Sequence, residues 1–383
     1  MLLTRGRKKG DILKQASILI VGGGIAGLTS AIALCQRGHS VEIIEKDPDW
    51  SVYGVGIIQQ GNVLRAVAQL GILDDYVSAG FPFNRVDIYL PDGSLAAKVP
   101  APQLNEAYPA QLGIGRRKLQ QVLGDKARAL GASIRLGVTV DSLAQDDSGV
   151  EASFSDGTNG RYDLVIGADG INSQIRELVF PDAPAPVFAG QGVWRYNFPC
   201  PEGLDALCVF EGPIGMGLVP IGPDLMYMYV TTPEPGNPRY PTEGLAAVMR
   251  DKLKNAPPRI AELAATISDD EGVVYKPLYW QMLDGDWYNG RVILIGDAAH
   301  ATTPHLGQGA GMAIEDSVVL AETLGDNDSV SAAFAAFMER REARCRYIVE
   351  NSVAICKGQL GEGPLVNNAQ ATMEMFKVTA LPI

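Results

Sequence analysis

The stretch that decides the fold is Ile18-Leu19-Ile20-Val21, followed directly by Gly22-Gly23-Gly24-Ile25-Ala26-Gly27. The first four residues form a continuous apolar run, as in a parallel strand that is buried on both faces. An apolar helical stretch runs on from Leu28 to Leu34, and Gly38 stands where a helix would end. A second apolar strand then leads to Glu45. The order strand, glycine loop, helix and strand predicts a βαβ unit.

Each glycine of this Gly-x-Gly-x-x-Gly loop has a physical task in binding a dinucleotide. Gly22 permits the tight turn, Gly24 lets the pyrophosphate approach the backbone, and Gly27 allows the helix to pack closely on the strand. The N-terminus of the helix offers free N–H groups and a positive dipole end to the phosphates. Glu45 lies about 20 residues on, where an acidic side chain accepts a hydrogen bond from a ribose hydroxyl. The loop predicts a dinucleotide site, but both NAD and FAD use it.

Two later segments favour FAD. The first is Asp163-Leu-Val-Ile-Gly-Ala-Asp169-Gly170, which continues to Ser173 and Arg176. The second is Arg291-Val-Ile-Leu-Ile-Gly296-Asp297-Ala-Ala-His300, followed by Pro304, by Gly307-Gln308-Gly309 and by a helical run from Met312 to Leu320. These segments resemble the D-G and G-D motifs of class A (para-hydroxybenzoate-hydroxylase-like) FAD-dependent aromatic monooxygenases. Together with the N-terminal loop they span nearly the whole chain in the order of that family.

The residues of the G-D motif also make physical sense by themselves. Asp297 follows an apolar strand, at the carboxyl end where α/β sheets bind ligands, and the resemblance has it accept a hydrogen bond from a ribityl hydroxyl. A helix N-cap would explain Asp297 alone, but not the glycines downstream. The helix after Gly309 would direct its N-terminus at the pyrimidine edge of the flavin, where negative charge develops on reduction. Glycine at this point lets the ring approach.

The resemblance implies further contacts to a non-covalently bound FAD. Arg116 has the family's R-x-x-L spacing to Leu119, with Arg117 as a rival; the alternative is a solvated positive charge at the start of a helix. Val140 matches a strand that holds adenine through its backbone, although core packing would place a valine there equally well. The residues expected to bind the cofactor are Gly22, Gly24, Ala26, Gly27, Glu45, Lys46, Arg116, Val140, Asp169, Asp297, Gly307, Gly309, Ala310, Gly311 and Met312.

The predicted fold class is α/β: a Rossmann-like FAD-binding domain of glutathione-reductase type, an inserted and mostly antiparallel sheet as substrate domain, and C-terminal helices. The FAD-binding domain is expected to be discontinuous, over residues 16–85, 110–185 and 286–350, with the substrate domain at 86–109 and 186–285 and a C-terminal helical tail at 351–383. Strands are predicted at 86–90, 191–198, 206–210, 216–220 and 225–231, and a helix at 244–255. The arginines expected on a solvent face of a C-terminal helix are Arg340, Arg341, Arg344 and Arg346.

The function implied by the resemblance is hydroxylation of a small aromatic or heteroaromatic substrate. NADH or NADPH would reduce the flavin, which would trap O2 as a C4a-hydroperoxide and transfer one oxygen atom. The sequence contains no second Gly-x-Gly-x-x-Gly for the nicotinamide cofactor, in agreement with transient docking. The alternatives are an FAD-dependent reductase or dehydrogenase, an epoxidase or halogenase of the same fold, or a non-catalytic FAD-binding protein. The W-x-W-x-I-P segment of halogenases is not present.

The candidate catalytic residues are Arg195, as an anchor for a carboxylate, with Tyr227 and His305. In one hydroxypyridine-acting branch of the family a histidine stands in a G-x-G-I-H segment, but here Ile58 ends Gly54-Val-Gly-Ile-Ile58, which argues against a histidine base at that place. His305 would either face the substrate or make structural hydrogen bonds. Strand parity decides which side chains line the flavin pocket, and the sequence leaves two sets open: Arg195, Tyr227 and Tyr229, or Trp194 and Met226.

Composition excludes other classes of protein. A net charge of -12 disfavours nucleic-acid binding, and five cysteines without a C-x-x-C pair disfavour a disulfide scaffold or a metal site. The basic residues Arg5, Arg7, Lys8 and Lys9 precede no apolar segment, which favours a flexible arm over a signal peptide. No apolar run is long enough to span a bilayer. We expect a cytoplasmic monomer or homodimer whose partners are a small aromatic substrate and O2.

Overall fold

The computed structural model describes residues 15–383, so the predicted basic arm lies outside the described residues. The strands are β1 (Ser17–Val21), β2 (Ser40–Glu45), β3 (Gly56–Gln60), β4 (Phe81–Phe83), β5 (Arg85–Tyr89), β6 (Leu95–Pro100), β7 (Gln111–Gly115), β8 (Ser133–Leu136), β9 (Val140–Asp146), β10 (Gly149–Phe154), β11 (Asn159–Tyr162), β12 (Leu164–Gly167), β13 (Val187–Pro199), β14 (Leu207–Phe210), β15 (Met216–Pro220), β16 (Leu225–Pro233), β17 (Val274–Trp280), β18 (Tyr288–Asn289) and β19 (Val292–Leu294).

The α-helices are α1 (Ile25–Gln36), α2 (Gly61–Gln69), α3 (Leu73–Ser78), α4 (Arg116–Ala129), α5 (Gln174–Val179), α6 (Leu245–Leu253), α7 (Pro258–Ala265), α8 (Asp297–His300), α9 (Gly309–Asp326), α10 (Val330–Leu360) and α11 (Asn368–Ala380), and a short 3-10 helix spans Pro304–Leu306. No helix within residues 15–383 is both long and apolar enough to cross a membrane.

A six-stranded sheet in the order β18-β19-β12-β1-β2-β8 forms the first core. Strand β1 lies between β2 and β12, and both pairings are parallel because the connections cross over through helices. In register, Val21 is opposite Gly167, and Gly167 is opposite Leu294. The chain therefore leaves β1, β12 and β19 at one edge of the sheet, which brings the phosphate loop, the D-G motif and the G-D motif together. The predicted fold class is confirmed.

A seven-stranded sheet in the order β17-β13-β16-β15-β14-β5-β6 forms the second layer. Its pairings are antiparallel except for β14 with β5. Strands β5 and β6 come from the early segment and join a sheet built from residues 187–280, which is the association that the predicted substrate domain requires. The domain boundaries themselves stay a prediction. Strand β17 and helix α7 were not predicted; Pro277 interrupts the pattern within β17, and Pro258 is the first residue of α7.

One expectation for the C-terminal region was wrong. Helix α10 runs unbroken from Val330 to Leu360, and the division predicted at residue 350 stays a prediction like the other boundaries. The side chains of Arg341 and Arg344 do not face solvent, since they are 0% and 8% exposed. They turn inward because buried carboxylates on α9, Glu315 and Asp316, lie opposite them. The physical reason is charge pairing, which makes an otherwise costly buried arginine acceptable.

Candidate active site

Two glycines of the phosphate loop are required by the packing of the protein itself. Gly22 has φ +109°, and a Cβ there would lie 2.3 Å from the carbonyl oxygen of Ala168. A Cβ at Gly27 would lie 1.9 Å from the carbonyl oxygen of Gly22, so helix α1 could not pack against β1. The tasks predicted for these two glycines, a tight turn and close helix–strand contact, are the ones they have in the structure.

Gly24 is different, because neither its backbone conformation nor the packing of the described residues requires a glycine there. Its φ of -81° and ψ of -167° suit any residue. A Cβ there would have no atom of the described part of the chain within 4 Å. Gly24 is exposed at the N-terminus of α1, where the first N–H groups of the helix lack partners within the helix. Empty space beside free N–H groups is what a pyrophosphate needs.

The loop is held from outside by residues on three elements. The Glu45 carboxylate accepts hydrogen bonds from the Gly23 N–H at 2.8 Å and the Asp47 N–H at 2.9 Å. The Gly23 carbonyl accepts from Trp50 Nε1 at 2.8 Å and from Gln120 Nε2 at 2.9 Å. Glu45 thus orients the loop, and its predicted contact to a ribose stays a prediction. Sequence reasoning missed Trp50 and Gln120; the four-residue spacing of Gln120 from Arg116 along one helix face was the available signal.

The D-G and G-D motifs are tied to each other. Asp169 accepts from Ser173 Oγ at 2.5 Å and from the N–H groups of Gln174 and Ile175 at 2.8 and 3.1 Å, so its carboxylate caps α5. Arg176 donates to the carbonyl oxygens of Ile171 and Ala298 at 2.7 and 2.9 Å. The carboxylate of Asp169 is thus occupied within its own loop, and any contact it makes to a cofactor is still a prediction.

Gly296, with φ +58°, forms the turn that presents Asp297. Asp316 Oδ2 accepts from the Gly296 N–H at 2.9 Å and pairs with His300 Nε2 at 2.7 Å, and its Oδ1 accepts from Arg341 Nε at 2.8 Å. These three partners fix the turn from behind. His300, Asp316 and Cys345 also offer atoms within 4.8 Å of one another, but the Asp316 carboxylate is already balanced by Arg341, so we assign no metal there.

Asp297 and Arg116 are near enough to interact electrostatically at the edge of the parallel sheet. Protein packed around Asp297 raises the pKa of its carboxyl, an effect that His300 and Arg116 oppose, and yet the side chain is exposed. Arg116 starts α4, and burial lowers the pKa of its guanidinium. Its buried Nε has no hydrogen-bond partner among the described residues. The Asp297 carboxylate is surrounded by protein but can still be reached from outside, and the Arg116 guanidinium beside it lacks a partner among the described residues. Such a pair indicates a cleft that binds a ligand.

The N-terminus of α9 provides the remaining wall. The first hydrogen bond within the helix runs from the Met312 N–H to the Gln308 carbonyl at 2.9 Å, so the N–H groups of Gly309, Ala310 and Gly311 precede it without partners in the helix. The nearest neighbour of a Cβ at Gly309 would be Thr302 at 3.6 Å, which leaves room for a flat ring. Met312 is fully buried, so only its backbone can face a cofactor.

Together these features fit FAD. Space at Gly24 suits the pyrophosphate, the accessible Asp297 suits a ribityl hydroxyl, and the free N–H groups of α9 suit the electron-rich edge of a flavin. Two predicted contacts are less direct: Lys46 is exposed, and Val140 buries its side chain in the core at the start of β9, where only its backbone is available.

Strand pairing shows which side chains of the large sheet share a face, and the helices packed on the sheet show which face is covered. Arg195 is opposite Tyr229, and Asn197 is opposite Tyr227, so the arginine and both tyrosines share one face. Trp194 and Met226 point the other way, into the core beneath α6 and α7. The Tyr227 ring packs on β3, where a Cβ at Gly56 would lie 2.5 Å from it.

Arg195 has no counterion within residues 15–383. Among the residues that the structure describes, its guanidinium has no hydrogen bond and no ion pair. Burial, and next the charge of Arg116, lower the pKa of Arg195 to about 10. Burial raises the pKa of Tyr227 to about 12, although Arg195 and Arg116 oppose this shift. Both groups are therefore protonated at neutral pH, and each can donate a hydrogen bond to a bound molecule.

His305 makes structural hydrogen bonds. Its Nδ1 lies 3.0 Å from Thr303 Oγ1, and its Nε2 lies 3.1 Å from Gln191 Oε1 on β13 and 3.2 Å from Gln359 Oε1 on α10. Burial lowers the pKa of His305 to about 4, so the ring is neutral at physiological pH. The structure brings Arg195 and Tyr227 together, and it places His305 as a link between the sheet and α10.

Comparison with known proteins agrees with this arrangement. The sequence model of a family described as FAD binding domain matches residues 15–352. A putative FAD-dependent monooxygenase, YetM of Bacillus subtilis, is 30% identical over 93% of this chain and 98% of its own length. A 2-heptyl-3-hydroxy-4(1H)-quinolone synthase of Pseudomonas aeruginosa is 32% identical over 90% of each chain. The crystal structure of Klebsiella pneumoniae HpxO with FAD and uric acid is similar with a TM-score of 0.82, at 26% identity over 95% of this chain and 92% of that one.

Proposed function

Because this chain belongs to the FAD-binding-domain family and is an FAD-dependent monooxygenase, we propose that it hydroxylates a small nitrogen-containing aromatic ring that carries an acidic group. The relatives support the ring: one is named for a quinolone product and another binds uric acid. The unpaired Arg195 supports the acidic group, and this is the observation that carries the proposal.

FAD would lie along the edge of the parallel sheet. The backbone at Gly24 and the N-terminus of α1 would receive the pyrophosphate, Asp297 would accept from a ribityl hydroxyl, and the N–H groups of Gly309 and Ala310 would face the pyrimidine edge. When bound, FAD would accept electrons from NADH or NADPH and would activate O2. The protein supplies orientation and a cleft that excludes water.

The substrate would lie between this edge and the large sheet. A partly buried guanidinium without a counterion is costly, and an anionic group on the substrate offsets that cost. Arg195 would bind this group, and Tyr227 would donate a hydrogen bond to a ring oxygen or to the same group. The flat ring would then be held with one face toward the flavin.

The test is a screen of aromatic acids, each compared with its neutral ester or amide. Two quantities are measured for each compound: NAD(P)H consumption, and incorporation of 18O from labelled O2 into the product. We expect the acids to be hydroxylated. Arg195→Met should lower kcat/KM for them roughly ten- to hundred-fold, since a hydrogen bond to a charged group contributes about 1.5–3 kcal/mol.

Arg195→Lys is the matched control, because it keeps the charge and should keep much of the activity. Both variants should retain FAD. Equal turnover of acids and neutral analogues would contradict the anchor, and NAD(P)H oxidation with no 18O in any product would contradict hydroxylation.

A further inference from the structure

We propose that Asn62 is a positioning residue: it holds Gln308, and through Gln308 it sets the orientation of the N-terminus of α9 toward the flavin. The inference rests on the placement of FAD proposed above, but not on the identity of the substrate. It concerns a polar cluster formed by Asn62, Gln308, Glu315, Arg341 and Arg344, which we call the anchor cluster. The cluster lies behind residues 307–311, the segment proposed to face the flavin, which we call the flavin loop.

The cluster begins with a pair of side-chain amides. Asn62 Nδ2 donates to Gln308 Oε1 at 2.9 Å, and Gln308 Nε2 donates back to Asn62 Oδ1 at 3.0 Å. Gln308 Nε2 also donates to Gln60 Oε1. Gln308 is 1% exposed and Asn62 2%, so neither amide can exchange these bonds for water. The Gln308 side chain thus points away from the cleft and into the protein.

The Gln308 side chain anchors a glycine-rich segment, together with Gln60 Nε2, which donates to the Leu306 carbonyl oxygen at 3.2 Å. Gly307 and Gly309 flank Gln308, Gly311 follows, and Gly307 has φ +65°. Glycine has the weakest backbone preferences of any residue, so the loop does not fix its own orientation. The packing of α9 sets its axis, and the amide pair at Gln308 holds its first N–H groups, because α9 has no side-chain N-cap hydrogen bond among the described residues.

A balanced carboxylate fixes Asn62 in turn. Asn62 Nδ2 donates to Glu315 Oε1 at 3.0 Å, while Glu315 Oε2 accepts from Arg341 Nη1 at 2.7 Å and from Arg344 Nη1 at 3.3 Å. Glu315 is 1% exposed. Arg344 Nη2 also donates to the carbonyl oxygens of Leu381 and Pro382, so the C-terminal segment belongs to the same network.

The arginines have an electrostatic role in this position. An uncompensated carboxylate within the first two turns of α9 would weaken the positive potential at the start of the helix. Glu315 does not have this effect, because Arg341 and Arg344 pair with it and Arg65 Nη2 lies 3.8 Å from its Oε1. The free N–H groups of α9 can then stabilise the negative charge that a flavin gains on reduction. If the amide pair is lost, the N–H groups are no longer held in line with the ring, and the reduced flavin loses stabilisation.

The test compares Asn62→Ala with Gln59→Ala in the FAD-loaded protein without substrate. Gln59 is a matched control: it lies at the same junction of β3 and α2, is fully buried, and accepts from Tyr76 Oη at 2.9 Å rather than bonding the flavin loop. Both variants should lower the thermal unfolding temperature. Only Asn62→Ala should shift the flavin midpoint potential to more negative values and change the flavin absorption band.

Gln308→Met removes the other half of the pair at similar volume and should shift the potential in the same direction, which keeps the test open if Asn62→Ala does not fold. The double variant Asn62→Ala with Gln308→Met should shift it no further than the larger single change. Equal potentials in the wild type, Asn62→Ala and Gln308→Met would overturn the proposal, as would an equal shift in Gln59→Ala. Since the readout needs no substrate, a wrong substrate assignment leaves it unaffected.

Discussion

The phosphate loop and the substrate face of the large sheet mark their ligands in opposite ways. In the loop the sign is a glycine that the protein does not need: packing explains Gly22 and Gly27, and nothing in the protein explains Gly24. On the sheet the sign is the charge of Arg195, which no other residue that the structure describes balances. A ligand site can therefore be recognised in two ways: by space that no side chain fills, or by a charge that lacks a counterion.

The largest expected effects lie in the loop, and they separate its glycines. Gly27→Val should prevent the fold, because its Cβ would lie 1.9 Å from the Gly22 carbonyl oxygen. Gly24→Val should fold with nearly wild-type thermal stability, since its Cβ meets no protein atom, but should lose FAD because the side chain fills the place of the pyrophosphate. Thermal unfolding of the apoprotein and FAD titration measure the two effects.

Glu45→Ala is the milder control for that pair. It releases the Gly23 N–H but puts no atom in the phosphate path, so it should weaken FAD binding without abolishing it. If Gly24→Val and Glu45→Ala had equal and small effects on FAD affinity, the loop would not be the phosphate site and the comparison would fail.

A smaller effect is expected at Asp297, on the cofactor side of the cleft. Asp297→Ala should weaken FAD binding by about 1.5–3 kcal/mol, or roughly ten- to hundred-fold in Kd, through loss of a charge-assisted hydrogen bond. Asp297→Asn should cost less because the amide oxygen still accepts. Dissociation constants from flavin fluorescence check both values, and full retention of FAD by Asp297→Ala would remove this residue from the cofactor site.

The smallest effect is expected from the titration of His305. Its pKa is lowered to about 4, so the ring is neutral above that value and does not change charge between about pH 5 and 8, where an ordinary histidine does. The profile of kcat/KM against pH should therefore be the same in wild type and His305→Gln over that range, even if the variant is less active. The wild-type profile could instead show a change of kcat/KM near the ordinary histidine pKa that is absent in His305→Gln. That result would show that His305 exchanges a proton in the reaction.

The fold around the phosphate loop and the kind of cofactor could be predicted from the sequence. Strand β1, the glycine loop and α1 are continuous in the chain, so their order predicts their geometry, and the strand at Met216–Pro220 was predicted with its observed bounds. The D-G and G-D motifs identified FAD because each is a strand end followed by a turn, and parallel strands bring such ends to one edge. Short-range pattern was sufficient wherever the interacting residues are neighbours in sequence.

Two features could be found only in the three-dimensional structure: the face of the large sheet that is left uncovered, and the burial of two arginines on α10. Alternation along β13 and β16 gives two faces without saying which is inside, so the choice of Arg195 and Tyr227 over Trp194 and Met226 required the helices that cover the other face. The inward turn of Arg341 and Arg344 could not be seen in α10 alone. Their partners lie on α9, with Glu315 26 residues before Arg341, and a charged side chain is buried or exposed according to partners that a local pattern does not contain.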